Sequence, residues 1–298
     1  MTFDTYQDKA QMTDQHPGQA ENSLVVPLLG LAGESGSLLT EYKKLLRDGA
    51  AYRVFSERIQ EEIGDILWYV ANIATKAGLR LEEIAESNLT KIQNRWNPPA
   101  ETPLLPGNKF LDESYPASEH LPRIFRVSIR EEQGPPPRVR IFWGDDQIGS
   151  HLTDNAYNDD GYRFHDVFHL AFAAILGWSP VARAIMRKKR KSDRQTDEVE
   201  DGGRAAVIDE AIAALAFDYA KRHAFLEGVS TLDYGFLNTI KSLTEHLEVS
   251  VRSLHTWERA ILQGFDVWRQ IVAHGGGIVL GNQYEGTLKF EPHEITKP

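Results

Sequence analysis

The sequence predicts a mainly helical protein, with an N-terminal four-helix domain and a mostly helical C-terminal domain that contains a small β-hairpin. Three observations predict this class. Apolar residues recur every three or four positions in residues 1–96, prolines interrupt residues 98–122, and apolar and polar residues alternate from Ile124. We therefore expect domains at 1–97 and 123–298, joined by a proline-rich linker.

The N-terminal helices are indicated by apolar stripes and by the glycines that follow them. The stripes of the two longest predicted helices are Leu38, Leu39, Tyr42, Leu45 and Leu46, and Ile63, Leu67, Val70 and Ile73. Gly49 and Gly78 are typical of positions where a helix ends, and a further helix is expected from about Leu81 to Trp96. Together these signals predict four helices.

The C-terminal part begins with strand signals and continues with helices. Residues 124–130 and 139–143 flank a glycine–proline turn, which predicts a hairpin. Helical periodicity then predicts helices near 161–176, 180–190, 204–225, 231–246 and 254–274. The triple glycine at 275–277 is interpreted as the end of the last helix. A phosphate-binding loop is the alternative, but neither a preceding strand nor a following helix supports it. A second hairpin is expected at 278–290.

Composition excludes several classes of protein. The chain has 298 residues and no cysteine, so disulfides, thiolate metal sites and cysteine nucleophiles are absent. A net charge of −10 disfavours broad binding to nucleic acid or anionic lipid. The sequence contains neither a membrane-spanning apolar stretch nor a signal peptide, so we expect a cytoplasmic protein without a membrane partner.

Acidic residues within the two apolar helices are the most informative feature. Glu34 and Glu41 are seven positions apart, which places them about 20° from each other on one helical face. Glu62 and Asp65 share a face of the next helix, and Glu61 lies one turn before Asp65. Such residues are often solvated and paired in surface salt bridges, but here small and apolar neighbours surround them.

Two acidic faces that pack together would repel unless a cation lies between them. Magnesium takes hard oxygen ligands and is commonly held by carboxylates together with substrate phosphates. The fourth predicted helix carries Asn88, Lys91 and Arg95 at spacings of three and four, a stripe suited to phosphate oxygens. The sequence therefore predicts a magnesium site next to a phosphate-binding face.

Four motifs in this region carry a resemblance to a known family. They are LGLAGESG from Leu29, EYKK from Glu41, EEIGDILWY from Glu61 and NLTKIQNR from Asn88. In this order over about 95 residues they resemble the MazG-like nucleoside triphosphate pyrophosphohydrolases. The resemblance implies an all-α fold and hydrolysis of nucleoside triphosphates to monophosphate and pyrophosphate with Mg²⁺, or Mn²⁺ in its place. It also implies a homo-oligomer, a dimer or larger.

The resemblance assigns roles to individual residues. Glu34 matches the first glutamate of the family's Glu-x-x-Glu motif, and Glu62 and Asp65 match its Glu-x-x-Asp motif. Lys91 and Arg95 match its phosphate-contacting pair. The second glutamate of Glu-x-x-Glu is replaced by Ser37, a weak and uncharged ligand, and Glu41 is the candidate to supply the missing carboxylate. For the general base, Glu61 and Glu41 are both candidates.

A second candidate site lies in the C-terminal part. His165 and His169 are four residues apart and share one helical face, the spacing at which two imidazoles bind one metal. Asp166 lies between them in sequence, and Glu210, with Asp209 and Asp218 on a later helix, offers a further ligand. The alternative interpretation is a histidine pair that makes only local hydrogen bonds within a packed core.

One basic run interrupts this acidic protein, and its members are Arg187, Lys188, Lys189, Arg190 and Lys191. A solvated loop is the plainer interpretation, and a contact with phosphate or nucleic acid is the alternative.

The sequence as a whole is compatible with three functions. The first is nucleoside triphosphate pyrophosphohydrolysis, the second is nucleotide sensing with weak turnover, and the third is a metal-dependent hydrolase that acts through the His-Asp-x-x-His motif.

Overall fold

The computed structural model describes residues 1–15, 21–96 and 110–293. The chain divides into two compact units, Met1–Gln93 and Asn94–Pro298. Both are built mainly from helices, which confirms the predicted fold class. In the described ranges, we find no helix with the length and apolar character that a membrane span requires.

The first unit contains the four helices that the sequence predicts. They are α1 (Phe3–Gln11), α2 (Val25–Asp48), α3 (Phe55–Lys76) and α4 (Leu81–Trp96). The long helices α2 and α3 pack side by side, and α1 packs on α3. The acidic faces of α2 and α3 are therefore carried by neighbouring helices.

A buried glutamine joins three of these helices. Gln7 of α1 donates from Nε2 to the Thr75 hydroxyl and to the Leu79 carbonyl, each at 2.9 Å, and accepts from the Leu81 amide at 2.8 Å. The Leu81 amide belongs to the first turn of α4, where no intrahelical partner exists. Gln7 thus fixes α1 against the end of α3 and the start of α4.

The second unit contains one antiparallel sheet of five strands among its described residues. The strands are β1 (Ile124–Glu132), β2 (Arg138–Trp143), β3 (Asp146–Leu152), β4 (Gly276–Asn282) and β5 (Thr287–Glu291), in the order β3-β2-β1-β4-β5. Both predicted hairpins are present, and the pairing of β1 with β4 joins them; Val127 lies opposite Val279. The expected small hairpin is thus one part of a larger sheet.

Six helices of the second unit are described. They are α5 (Asp166–Ala171), α6 (Pro180–Ile185), α7 (Arg194–Val199), α8 (Gly203–Lys221), α9 (Tyr234–Leu243) and α10 (Leu254–His274). The core forms where α5 packs against α10, with the rings of Phe168 and Phe265 4.4 Å apart. Gly264 permits this approach, because a Cβ there would lie 3.3 Å from Ala171.

Helix ends differ from the predicted ones for identifiable reasons. The helix expected at 180–190 ends at Ile185, because Arg187 takes a left-handed conformation with φ of 57°. Asp193 then begins α7, which was not predicted, by accepting from the amides of Gln195 and Thr196. Gly275, with φ of 64°, ends α10 as expected, and the next two glycines begin β4.

Residues 110–122 fell within the predicted linker, but they belong to the second unit. Asp112 is 1% exposed and accepts from Arg123 at 2.5 Å, Arg183 at 2.8 Å and the Leu121 amide at 2.7 Å. Leu121 is also buried. The remaining part of the predicted linker, residues 98–109, lies outside the described residues.

Candidate functional site

Glu62 of α3 lies close enough to four other carboxylates of α2 and α3 to be influenced by their charges, and we name these five residues the acidic cluster. Its members are Glu34, Glu41, Glu61, Glu62 and Asp65. Partial desolvation, followed by the negative charges of the other four members, raises the pKa of Glu62. The packing of α2 on α3 thus brings together the carboxylates that the sequence placed on two separate helices.

Two members of the acidic cluster already have cationic or hydroxyl partners. Glu41 is buried, accepts from Lys44 Nζ at 2.6 Å, and also accepts from the Tyr52 hydroxyl. These two hydrogen bonds lower the pKa of Glu41. Glu61 is exposed and accepts from Arg58 Nη1 at 2.8 Å. Tyr52 has no signal in the sequence that links it to Glu41, because eleven residues and a helix end separate them.

The other three members of the acidic cluster differ in this respect. Among the described residues, Glu34, Glu62 and Asp65 make no hydrogen bond and no ion pair. Carboxylate oxygens are ligands that Mg²⁺ prefers. The oxygens of these three residues are nevertheless not gathered into a compact set of ligands, because the one group of three potential ligands within 4.8 Å of one another in the described ranges lies in the second unit.

The predicted phosphate-binding residues lie on α4. Asn88 and Lys91 are exposed, and the Arg95 side chain lies outside the described residues. The first turn of α4 is held by α1, because Glu82 accepts from the Phe3 amide at 2.9 Å. Farther along α4, apolar Leu89 is 58% exposed.

The second candidate site forms where α5 faces α8, and we name it the histidine cluster. Its members are His165, Asp166, His169 and Glu210. Donor atoms of the first three all lie within 4.8 Å of one another. Glu210 Oε2 lies 3.4 Å from His169 Nε2 and 3.7 Å from His165 Nε2. The four-residue spacing that the sequence shows therefore does bring both imidazoles to one place.

The local fold explains how the two rings are oriented. Gly161, with φ of 85°, starts a short turn at Tyr162–Phe164 that leads into α5. The Tyr162 ring stacks on the His165 ring at 4.4 Å. Immediately after α5, the chain forms a wider π-helical turn at Phe172–Leu176, a feature that is frequent at functional sites. No local sequence pattern predicts this turn.

Three of the four members of the histidine cluster are buried, and carboxylates lie close to both histidines. Burial lowers the pKa of His169, but Asp209 and Glu210 outweigh it and raise the pKa to about 10. Burial raises the pKa of Asp166, and the positive charge of the two histidines opposes that change. Burial, and then the charges of Glu210 and Asp166, raise the pKa of Tyr162 to about 12. Such an environment favours a cation.

Two other sequence candidates have structural roles instead. Asp218 is exposed and pairs with Arg222, away from the histidine cluster. In the basic run, Arg190 is fully buried, and Asp201 and Glu248 accept from its guanidinium at 2.6–3.1 Å. Arg190 is therefore unavailable to nucleic acid, while Arg187 and Lys191 remain exposed.

Comparison with known proteins covers both units. The model described as the MazG nucleotide pyrophosphohydrolase domain matches residues 28–98, and the model described as the MazG C-terminal domain matches residues 107–294. A curated relative, the "Gene 37 protein" of Mycobacterium phage L5, is 35% identical over 101 residues, which cover 32% of this chain and 89% of the relative. No solved structure matches the chain significantly.

Proposed function

The chain belongs to the MazG family, and from this premise we propose that its first unit hydrolyses nucleoside triphosphates to monophosphate and pyrophosphate at the acidic cluster, with Mg²⁺. The matched MazG nucleotide pyrophosphohydrolase domain supports pyrophosphohydrolase activity in general. The observation that carries the finer proposal is the set of three neighbouring carboxylates, Glu34, Glu62 and Asp65, for which the described residues provide no cationic partner.

The proposed reaction assigns separate tasks to the carboxylates. Glu34, Glu62 and Asp65 would hold Mg²⁺, or Mn²⁺ in its place, and the ion would supply positive charge to offset that of the triphosphate. Water forms a bond to the α-phosphorus while the bond from this phosphorus to the bridging oxygen breaks, and pyrophosphate leaves. Glu61 is exposed and accepts the proton from water, with Glu41 as the other candidate base.

Phosphate binding is assigned to α4. Asn88, Lys91 and Arg95 share one face of this helix, and two cations there would offset the charge of the departing pyrophosphate. For this role, α4 must lie next to an acidic cluster. We propose that association of chains completes this arrangement, because apolar side chains such as Leu89 of α4 are exposed.

The first unit is expected to form a dimer or a larger assembly. Its small buried core is accompanied by exposed apolar side chains on α2, α3 and α4, which include Leu29 at 68%, Ile63 at 51% and Leu89 at 58%. Light scattering of the full chain should give at least twice the monomer mass, and Leu89→Glu should lower that mass. A monomer at all concentrations would contradict the assembly.

An assay of pyrophosphate release tests the activity itself. The full chain is incubated with a panel of canonical and modified nucleoside triphosphates, with and without Mg²⁺, and equilibrium binding is measured in parallel. Pyrophosphate release that requires the metal is the expected result. Tight nucleotide binding without turnover would contradict the proposed enzymatic activity and would favour the alternative, a nucleotide-sensing module.

Ser37→Glu tests the departure from the family motif. We expect this substitution to lower the Mg²⁺ concentration needed for half-maximal activity several-fold, because the new carboxylate lies three residues from Glu34. Ala32→Glu adds the same charge on the opposite face of α2 and is the matched control. If Glu41 already fills the position, Ser37→Glu lowers activity and Glu41→Gln nearly abolishes it. If neither Ser37→Glu nor Glu41→Gln changes the activity, this face of α2 is not part of the site.

A further inference from the structure

We propose that the histidine cluster of the second unit binds one divalent transition-metal ion, through His165, Asp166, His169 and Glu210. The spacing of the donor atoms is the first observation. Nε2 of His165 lies 3.8 Å from Asp166 Oδ1 and 3.7 Å from Glu210 Oε2, and Nε2 of His169 lies 3.4 Å from the same Glu210 oxygen. Metal–ligand distances of about 2.1 Å place tetrahedral ligands about 3.4 Å apart.

The hydrogen bonds of the two imidazoles are the second observation. His165 Nδ1 lies 2.9 Å from the Tyr162 carbonyl, which can only accept, so this nitrogen carries the proton. His169 Nδ1 lies 2.8 Å from Asp209 Oδ1. In the neutral state, each ring therefore presents an unprotonated Nε2, and both Nε2 atoms face the carboxylates of the cluster.

The third observation is the environment of His169 Nε2, which differs from that of an ordinary core histidine. His169 is 0% exposed, and its Nε2 makes no hydrogen bond that meets geometric criteria; Glu210 Oε2 lies 3.4 Å from it. A buried ring nitrogen without a partner costs free energy, and a core histidine would normally be satisfied on both sides. A metal bond at Nε2 removes this cost.

Asp209 orients the proposed ligand His169 through the other ring nitrogen, Nδ1. Its carboxylate is 0% exposed and accepts from His169 Nδ1, from the Ser179 hydroxyl at 2.6 Å and from the Val181 amide at 3.1 Å. Ser179 is in turn fixed as the residue that caps α6. Metal-binding histidines commonly donate their other N–H to such a carboxylate, which fixes the ring and makes it a stronger ligand.

The donor set defines the class of ion. Two imidazoles with two carboxylates and no thiolate suit Zn²⁺, Fe²⁺ or Mn²⁺, whereas Mg²⁺ prefers an all-oxygen shell. This site is thus chemically distinct from the all-carboxylate cluster of the first unit.

Access to the ion is available on one side. The side chains of His165, Asp166 and His169 are at most 9% exposed, whereas that of Glu210 is 48% exposed. The side of the cluster that faces solvent is therefore the side of Glu210.

Cobalt binding to the full chain tests this proposal. Co²⁺ is a spectroscopic substitute for Zn²⁺ whose visible absorption intensifies in a tetrahedral site. The chelator-treated protein is titrated with Co²⁺, then with Zn²⁺ in competition, in a Glu62→Gln/Asp65→Asn background that disables the acidic cluster. We expect one equivalent of Co²⁺ with intense absorption, displaced by one equivalent of Zn²⁺.

Substitutions locate the ion within the cluster. Glu210→Gln changes a half-exposed side chain, so the fold is retained, and it should weaken Co²⁺ binding at least about tenfold. Asp209→Asn should weaken it about 10–100-fold by removing the support of His169. Asp218→Asn, an exposed carboxylate of the same helix, is the matched control. Absence of stoichiometric binding, or binding unchanged by both Glu210→Gln and Asp209→Asn, would overturn the site.

Discussion

Asp65→Asn is expected to reduce pyrophosphate release from nucleoside triphosphates about a hundredfold or more. An amide is a neutral and weaker ligand, so the substitution removes one of the three carboxylates that hold the ion. Asp65 is exposed and makes no hydrogen bond or ion pair with the described residues, so the helix content in circular dichroism should not change. Loss of activity would then result from the change at the acidic cluster and not from unfolding of the helices.

The matched control for Asp65→Asn is Glu57→Gln. Glu57 is an exposed carboxylate of the same helix and is not a member of the acidic cluster, so its substitution should leave turnover unchanged. Wild-type turnover in Asp65→Asn would contradict the assignment of the acidic cluster. Retained hydrolysis that is instead lost on Glu210→Gln would favour the other candidate function, a hydrolase that acts through the histidine cluster.

Arg190→Ala is expected to destabilise the second unit by about 3–5 kcal/mol. The substitution leaves Asp201, which is 0% exposed, without the guanidinium that donates to both of its oxygens. Glu248 loses its two hydrogen bonds from the same group. Urea unfolding followed by tryptophan fluorescence provides the measurement, because Trp178 and Trp257 are buried in this unit.

Two further substitutions test whether the guanidinium geometry of Arg190, and not merely a positive charge in this run, stabilises the network. Lys191→Ala removes an exposed cation next to Arg190 and should change the stability by less than about 0.5 kcal/mol. Arg190→Lys should recover only part of the loss, because one ammonium cannot reproduce the planar donors that reach two carboxylates. Equal effects of Arg190→Ala and Lys191→Ala would contradict the structural role of Arg190.

The helices of the first unit could be predicted from sequence because their signals are local. Apolar spacing defines the faces of α2 and α3, and Gly49 and Gly78 follow their ends. In the second unit, the helix end after Ile185 depends on the left-handed conformation of Arg187, which has no reliable sequence signal. Helices were therefore predicted better in their existence than in their boundaries.

The strand order of the sheet could not be predicted from local sequence patterns. Each hairpin was predicted from alternation and turn residues, but the pairing of β1 with β4 joins segments about 150 residues apart. Similarly, the partners of Arg190 are Asp201, which lies between α7 and α8, and Glu248, 58 residues after Arg190 along the chain, so a run of five cations could not reveal that one member is buried. Asp112 became part of the core for the same reason, through Arg123 and Arg183.

Candidate site residues were predictable where helical spacing alone aligns them. Glu62 with Asp65, and His165 with His169, follow from positions three and four apart. The partners that decide what each group can do were not predictable. Tyr52 and Lys44 engage Glu41, and Asp209 supports His169, and these contacts depend on how separate elements pack.

Product identification with the full chain tests the central claim most directly. One nucleoside triphosphate is incubated with Mg²⁺, and the products are separated by ion exchange and quantified for wild type and Glu62→Gln. The account predicts nucleoside monophosphate and pyrophosphate in equal amounts from the wild type, and neither from Glu62→Gln. Nucleoside diphosphate with inorganic phosphate, or equal product formation by both proteins, would contradict it.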